Sequence, residues 1–140
     1  MSLERFCRKP VAVAKPDEPV ASVARAMREK HVGCVVVVDL QERPVGVVTD
    51  RDIVCRVVAE GRDIATTTVR EAMSTNLVIA REYDLIDEAT MRMRKAGVRR
   101  LPIVAADNRL IGIIALDDLI VLLSAELAQT ATAVRANRGP

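Results

Sequence analysis

Aromatic residues are almost missing from this 140-residue chain: it has no Trp, and Phe6 and Tyr83 stand alone. That scarcity removes the stacking platforms on which single-stranded nucleic acids are read, and it leaves the core to be built from aliphatic side chains. Histidine is equally scarce. With His31 as the single imidazole, no nucleophile, base and orienting acid fall into a recognisable catalytic motif, and no enzyme activity is expected. His31 and Cys34 form a lone H-x-x-C that lacks the two further ligands a metal would need. The three cysteines, Cys7, Cys34 and Cys55, are odd in number and show no C-x-x-C spacing, which argues against a disulfide framework and fits a reducing compartment. Cys34, inside a valine run, and Cys55, on the apolar side of a helix, are expected to be inert core thiols, and Cys7 the least protected.

Nor does one sign of charge dominate. The 21 basic and 19 acidic residues give a net charge of +2 and are scattered along the chain, so there is no continuous basic stripe and nucleic acid is disfavoured as a partner. No run approaches the roughly 18 apolar residues of a bilayer span, so no membrane partner and a cytoplasmic location are expected.

What the chain does have is a repeat. Cys34-Val35-Val36-Val37-Val38, a polar turn and Pro44-Val45-Gly46-Val47-Val48 match Leu101-Pro102-Ile103-Val104, a polar turn and Leu110-Ile111-Gly112-Ile113-Ile114. An ungapped offset of 66 pairs Gly46 with Gly112, Asp52 with Asp118, Arg43 with Arg109, Met27 with Met93 and Ala14 with Ala80. Each copy reads as one supersecondary unit that needs its neighbour to finish burying its apolar face.

In each copy a short strand, Val11 to Ala14 or Leu77 to Ala80, leads into an acidic helix start at Asp17-Glu18-Pro19 or at Asp84 and Asp87. Helical spacing follows at Val20, Val23, Ala24 and Met27, and at Ile86, Ala89 and Met93, so each helix buries one face. The hairpin and a second helix, beginning near Asp50 or Leu116, complete β-α-β-β-α, twice. The hairpin runs are expected to be covered on both sides, with the first strand parallel to them. The fold class is therefore α+β, helices on small sheets. The units span 7–60 and 73–127; 61–72 is a linker, with Thr68 and Glu71 as a capping box for a short helix; 128–140 continues the last helix and frays from Arg135. Met27, Met91 and Met93 are expected to fill helix faces, and the stripe Leu119, Leu123 and Leu127 to seek cover in a homodimer.

Gly46-Val47-Val48-Thr49-Asp50-Arg51-Asp52-Ile53 brings a strand to a hydroxyl and, three residues on, a carboxylate in a first helical turn. Local capping alone accounts for such a pair. The second copy, Gly112-Ile113-Ile114-Ala115-Leu116-Asp117-Asp118-Leu119, keeps the acid and loses the hydroxyl. A Gly, two aliphatics, Thr or Ser, two variable residues, Asp and an aliphatic resemble the signature of cystathionine-β-synthase (CBS) domains, and the resemblance covers both repeats.

That resemblance implies a Bateman module: two repeats packed sheet to sheet about a pseudo-twofold axis, with two clefts between them. It implies that Asp52 and Asp118 hold ribose hydroxyls and that Thr49 contacts sugar or phosphate, with Ala115 weakening the second cleft. A carboxylate only accepts hydrogen bonds, so Asp52 suits a sugar and positive charge must come from elsewhere. Arg99 and Arg100 resemble the basic pair that meets phosphate in this family, and a guanidinium can bind phosphate bidentately. They are expected to serve the Asp52 cleft and to leave the Asp118 cleft without an arginine pair. Without aromatics, adenine would lie between aliphatic side chains, with Val13, Ala14, Val35 and Pro102 as candidates. The expected role is regulatory: binding of an adenosine nucleotide (AMP, ADP or ATP) or a related adenosyl compound, with no obligatory cofactor, to the benefit of a regulated protein that the sequence does not identify. A structural dimerisation module with vestigial clefts is the alternative, and a nucleic-acid-associated protein is a more distant one.

Overall fold

The computed structural model describes residues 2–138. The first repeat contains β1 (Val13–Ala14), α1 (Val20–Lys30), β2 (Cys34–Val38), β3 (Pro44–Thr49) and α2 (Asp50–Ile53), which runs on as a π turn through Val54–Val58. After the short helix α3 (Val69–Ala72) come β4 (Ala80–Arg81), α4 (Ile86–Ala96), β5 (Arg100–Val104), β6 (Leu110–Ala115) and α5 (Leu116–Asn137). The two sheets are ordered β1-β2-β3 and β4-β5-β6, the first pair parallel and the second antiparallel in each. Even the irregularities repeat: the register slips between Val37 and Val38 and again between Ile103 and Val104.

The first strands are shorter than expected, because β1 pairs only Val13 with Val36 and Ala14 with Val37, and β4 only Ala80 with Ile103 and Arg81 with Val104. The helices also begin later, at N-caps Pro19 and Leu85. Asp84 does not cap α4; it accepts from the Arg81 amide at 2.8 Å and pairs with Arg92, while Glu88 accepts from the Leu85 amide at 2.9 Å. Both helices stop on a left-handed residue, Gly97 in one copy and His31, with φ of 54°, in the other. A side chain at such a position strains the backbone where glycine does not.

Strand alternation divides the buried residues into three layers. Val35, Val37 and Val48 join Val20, Val23 and Met27 in the first core, and Leu101, Ile103 and Ile114 join Ala89, Met93 and Leu119 in the second. Val36, Val38 and Val104 are equally buried but belong to neither core; with Pro102 they occupy the opposite sheet faces, where the repeats meet. The Leu110 amide donates to the Glu42 carbonyl at 2.9 Å across this junction.

The termini of the repeats are exchanged. Leu3, in a 3-10 turn at Leu3–Arg5, is fully buried in the second core, with Phe6 and Cys7 packed beside it. Conversely Val69 and Ala72, in the stretch expected to be a linker, are fully buried in the first core, with Met73 against them. Backbone bridges fasten both crossings, Arg8 to Ile113 and Ser74 to Val47. Gly46 and Gly112 mark where the crossing segments pass: a Cβ on Gly46 would stand 2.8 Å from the Met73 sulfur and from the Ser74 carbonyl oxygen, and one on Gly112 would meet Cys7.

In α5, Leu119 is core, whereas Leu123 is 48% and Leu127 71% exposed. Met91, expected to fill a helix face, is also exposed at 67%. The helix is continuous to Asn137, with Gly139 and Pro140 of the expected frayed tail outside the described residues. By length and composition α5 is apolar enough to cross a membrane, contrary to the reading that no stretch approaches that limit. Its apolarity is spread over Ala, Val and Leu between Thr and Ser rather than gathered in one run. Its first turn is docked in the second core through Leu119.

Candidate functional site

The end of β3 places Thr49 as the N-cap of α2, and the pair expected to touch a ligand closes locally on itself. Thr49 Oγ1 accepts from the Asp52 amide at 3.1 Å and Asp52 Oδ2 accepts from the Thr49 amide at 2.9 Å, a reciprocal capping box. One turn on, Arg56 Nε lies 3.9 Å from Asp52 Oδ1 while its Nη1 donates to the carbonyls of Ala72 and Met73 at 3.2 and 3.0 Å. Asp52 is thus held in a fixed rotamer by its own helix.

Asp118 occupies the same place in the second repeat with different partners. Ala115 has no hydroxyl to offer, and the carboxylate instead accepts from Arg8 Nη2 at 2.7 Å through Oδ1. Its Oδ2 is buried with no hydrogen-bond partner. Arg8 arrives because the exchanged N-terminal segment runs along β6, the Arg8 amide donating to the Ile113 carbonyl at 2.8 Å and the Ile113 amide to the Arg8 carbonyl at 3.3 Å. The 66-residue offset puts Ser74 in Arg8's place beside the first repeat, and Leu122 where Arg56 stands. Two carboxylates of identical position therefore sit in different electrostatic settings.

Residues of both repeats converge on a cavity of about 180 Å³ lined by Arg8, His31, Cys34, Arg100, Ala115 and Asp118, among others. This corrects the expectation that the Asp118 cleft lacks arginines: Arg100 lines it from β5, and the exchange supplies Arg8. Arg99 is committed to Asp117 at 2.9 Å, whereas Arg100 has no carboxylate partner among the described residues. Arg100 pairs with Ala115 at the sheet end as Cys34 pairs with Thr49. Burial raises the Cys34 thiol above its ordinary pKa; Arg100 pulls it down and Asp52 and Asp50 push it up, so charges from both repeats act at this wall of the cavity.

Of the apolar candidates, Ala14 and Val35 are packed in the first repeat's own core and present no side chain to a cleft. The other two lie on the opposite sheet faces: Val13 is 46% exposed, and Pro102 is buried outside the second core, where the repeats meet. Cys55 is exposed rather than core, because the π turn Val54–Val58 presents position 55 to solvent, and Cys7 is partly covered by the crossing. Among the described residues no group of three His, Cys, Asp or Glu could hold a metal ion. Arg8 lies inside the first unit as read from the sequence but is not singled out there; the 66-residue offset also pairs Leu3 with Val69 and extends each unit toward its N-terminus.

Two β-α-β-β-α units stacked through their sheets, with a carboxylate at each second-helix start and a charged cleft between the units, define a paired-repeat module. The family model for the CBS domain matches residues 3–59 and 69–125, and the chain belongs to that family. The CBS domain-containing protein YhcV of Bacillus subtilis is 41% identical over 79% of this chain and 77% of its own length. The chain spans between 61% and 77% of the length of the first curated relatives it matches. Hypoxic Response Protein I of Mycobacterium tuberculosis, solved with two coordinated zinc ions, superimposes with a TM-score of 0.79 at 28% identity, covering 86% of this chain and 97% of that one. A CBS domain protein of Pyrobaculum aerophilum complexed with AMP gives a TM-score of 0.79, covering 92% of this chain and 99% of that one, and at 24% identity it speaks for the fold.

Proposed function

We propose that this chain is a regulatory module that takes an adenosine nucleotide between its repeats, the ribose diol on Asp52, or on Asp118 in the second cleft, and the phosphate on Arg100. The observation that carries this reading is Arg100: a guanidinium without a carboxylate partner among the described residues, lining the Asp118 cleft beside Cys34 of the other repeat, at the junction of the two repeats. An anion-binding group between two diol-binding groups suits a ligand that carries both functions. The Asp52 cleft is the tighter one. Thr49 and the helix hold its carboxylate ready, whereas Asp118 is already engaged by Arg8. The AMP held by the relative from Pyrobaculum aerophilum is a ligand of this chemistry.

Occupancy would act by shifting the population of angles between repeats or subunits, to the advantage of a regulated protein in the cytoplasm. The module works as a homodimer in this reading, because Leu85, Met91 and Leu123 line an apolar groove between α4 and α5 and Leu127 extends it. The binding test is calorimetric titration with AMP and adenosine. Charge-assisted hydrogen bonds of about 1.5–3 kcal/mol make Asp52→Ala weaken AMP by roughly tenfold to a hundredfold. Arg100→Ala should penalise AMP and spare adenosine. An equal loss for both ligands on Arg100→Ala, or no binding by the wild type, would overturn the assignment.

A further inference from the structure

We propose that Arg8 is a latch on the Asp118 cleft, competing with the ligand's sugar for the Asp118 carboxylate. This rests on the nucleotide-binding reading above and adds how the second cleft is gated. A vicinal diol is bound by a carboxylate that offers both oxygens. Here Oδ1 is occupied by Arg8 at 2.7 Å and Oδ2 is buried and unpartnered. The side chain is thus half engaged: Oδ2 has no donor, and Oδ1 gives one of its acceptor sites to Arg8.

Space points the same way. The cavity measures about 180 Å³, below the roughly 300 Å³ at which sites for drug-sized ligands begin. Arg8 is one of its walls and has room to move: its side chain is 72% exposed, while its backbone stays fastened to Ile113. Swinging the side chain outward enlarges the cleft and frees Oδ1 without unpairing the strand. In the first repeat the offset places Ser74 at the corresponding position, and the arginine near Asp52 is Arg56 of the same helical segment, 3.9 Å from Oδ1 and tethered to the carbonyls of Ala72 and Met73.

The latch also sets selectivity. Once displaced, the guanidinium stays at the mouth of a cavity to which Arg100 already contributes a second positive charge. A ligand with phosphate compensates the displaced arginine, and a neutral nucleoside does not. The Asp118 cleft therefore favours the nucleotide over the nucleoside more strongly than it would without Arg8.

The test isolates the second cleft in an Asp52→Ala background and compares it with Asp52→Ala/Arg8→Gln by calorimetric titration. An ion pair exposed on one side is a modest competitor, so adenosine should bind about three- to tenfold more tightly when Arg8 is replaced. AMP should gain less than adenosine. Adding Asp118→Asn should abolish the difference that Arg8→Gln makes. If Arg8→Gln leaves adenosine unchanged or weakens it, Arg8 is a bystander or a ligand contact, and the latch is wrong. The same conclusion follows if the wild type binds but neither background variant does. Silence of the wild type as well would remove the nucleotide-binding reading itself.

Discussion

Replacing Leu3 by Ala should destabilise the second repeat, although residue 3 lies 77 positions from that repeat's first strand at Ala80. Leu3 is fully buried in the core formed by Leu101, Ile103, Ile114 and Leu119. Truncation removes three carbons, about 2.4 kcal/mol at roughly 0.8 kcal/mol per buried methylene. The cavity left behind adds to this, which brings the cost to about 3–4 kcal/mol, within the usual range for buried Leu→Ala. Urea unfolding measures the total, and for a chain of this size the thermal midpoint should fall by roughly 10 °C. Hydrogen exchange locates it: the amides of β5 and β6 should lose protection before those of β2 and β3. If residues 2–10 were instead a loose leader, the change would stay within about 0.5 kcal/mol, as for surface substitutions. That small a value would refute the exchanged-termini arrangement, and with it the delivery of Arg8 to Asp118.

Two other substitutions test the crossing of the chain in the first repeat. Gly46→Ala places a Cβ 2.8 Å from the Ser74 carbonyl oxygen, a backbone atom that cannot swing away, and should cost about 1–3 kcal/mol in denaturant unfolding. Gly33→Ala meets only the Asp50 carboxylate, at 3.1 Å, and should cost clearly less, so equal effects would dismiss the steric account. Acid should destabilise the protein. Asp39, Glu71 and Asp107 are held below their ordinary pKa by backbone N–H donors and arginines, and in Asp84 the Arg81 amide and Arg92 outweigh burial in the same direction. A carboxylate with a lowered folded pKa contributes stability above its unfolded pKa of about 4 and loses it as pH falls through the folded value. Thermal midpoints should therefore decline below about pH 4, and a rise on acidification from there would contradict these pairings.

Local and periodic features were legible in the residues alone. The two-residue alternation of the hairpins and the 3.6-residue spacing of α1 and α4 set which faces are apolar, and the 66-residue offset set that the unit is used twice, down to the same register slip. The capping hydroxyl of Thr49 and its absence at Ala115 were equally legible. Which segment completes which core is settled by tertiary packing, because Leu3 and Val69 carry no mark of the repeat they join; that choice is made by the shape of a groove assembled from β6 or β3 and the helices beside it. The same crossing decided the partner of Asp118, since an ion pair between Arg8 and a residue 110 positions away follows from where two backbones meet. It also separated Val35 from Val36, adjacent and identical in chemistry, into a repeat's own core and the junction between repeats: alternation fixes that neighbours part, and only the stacking of the sheets says what each of them faces.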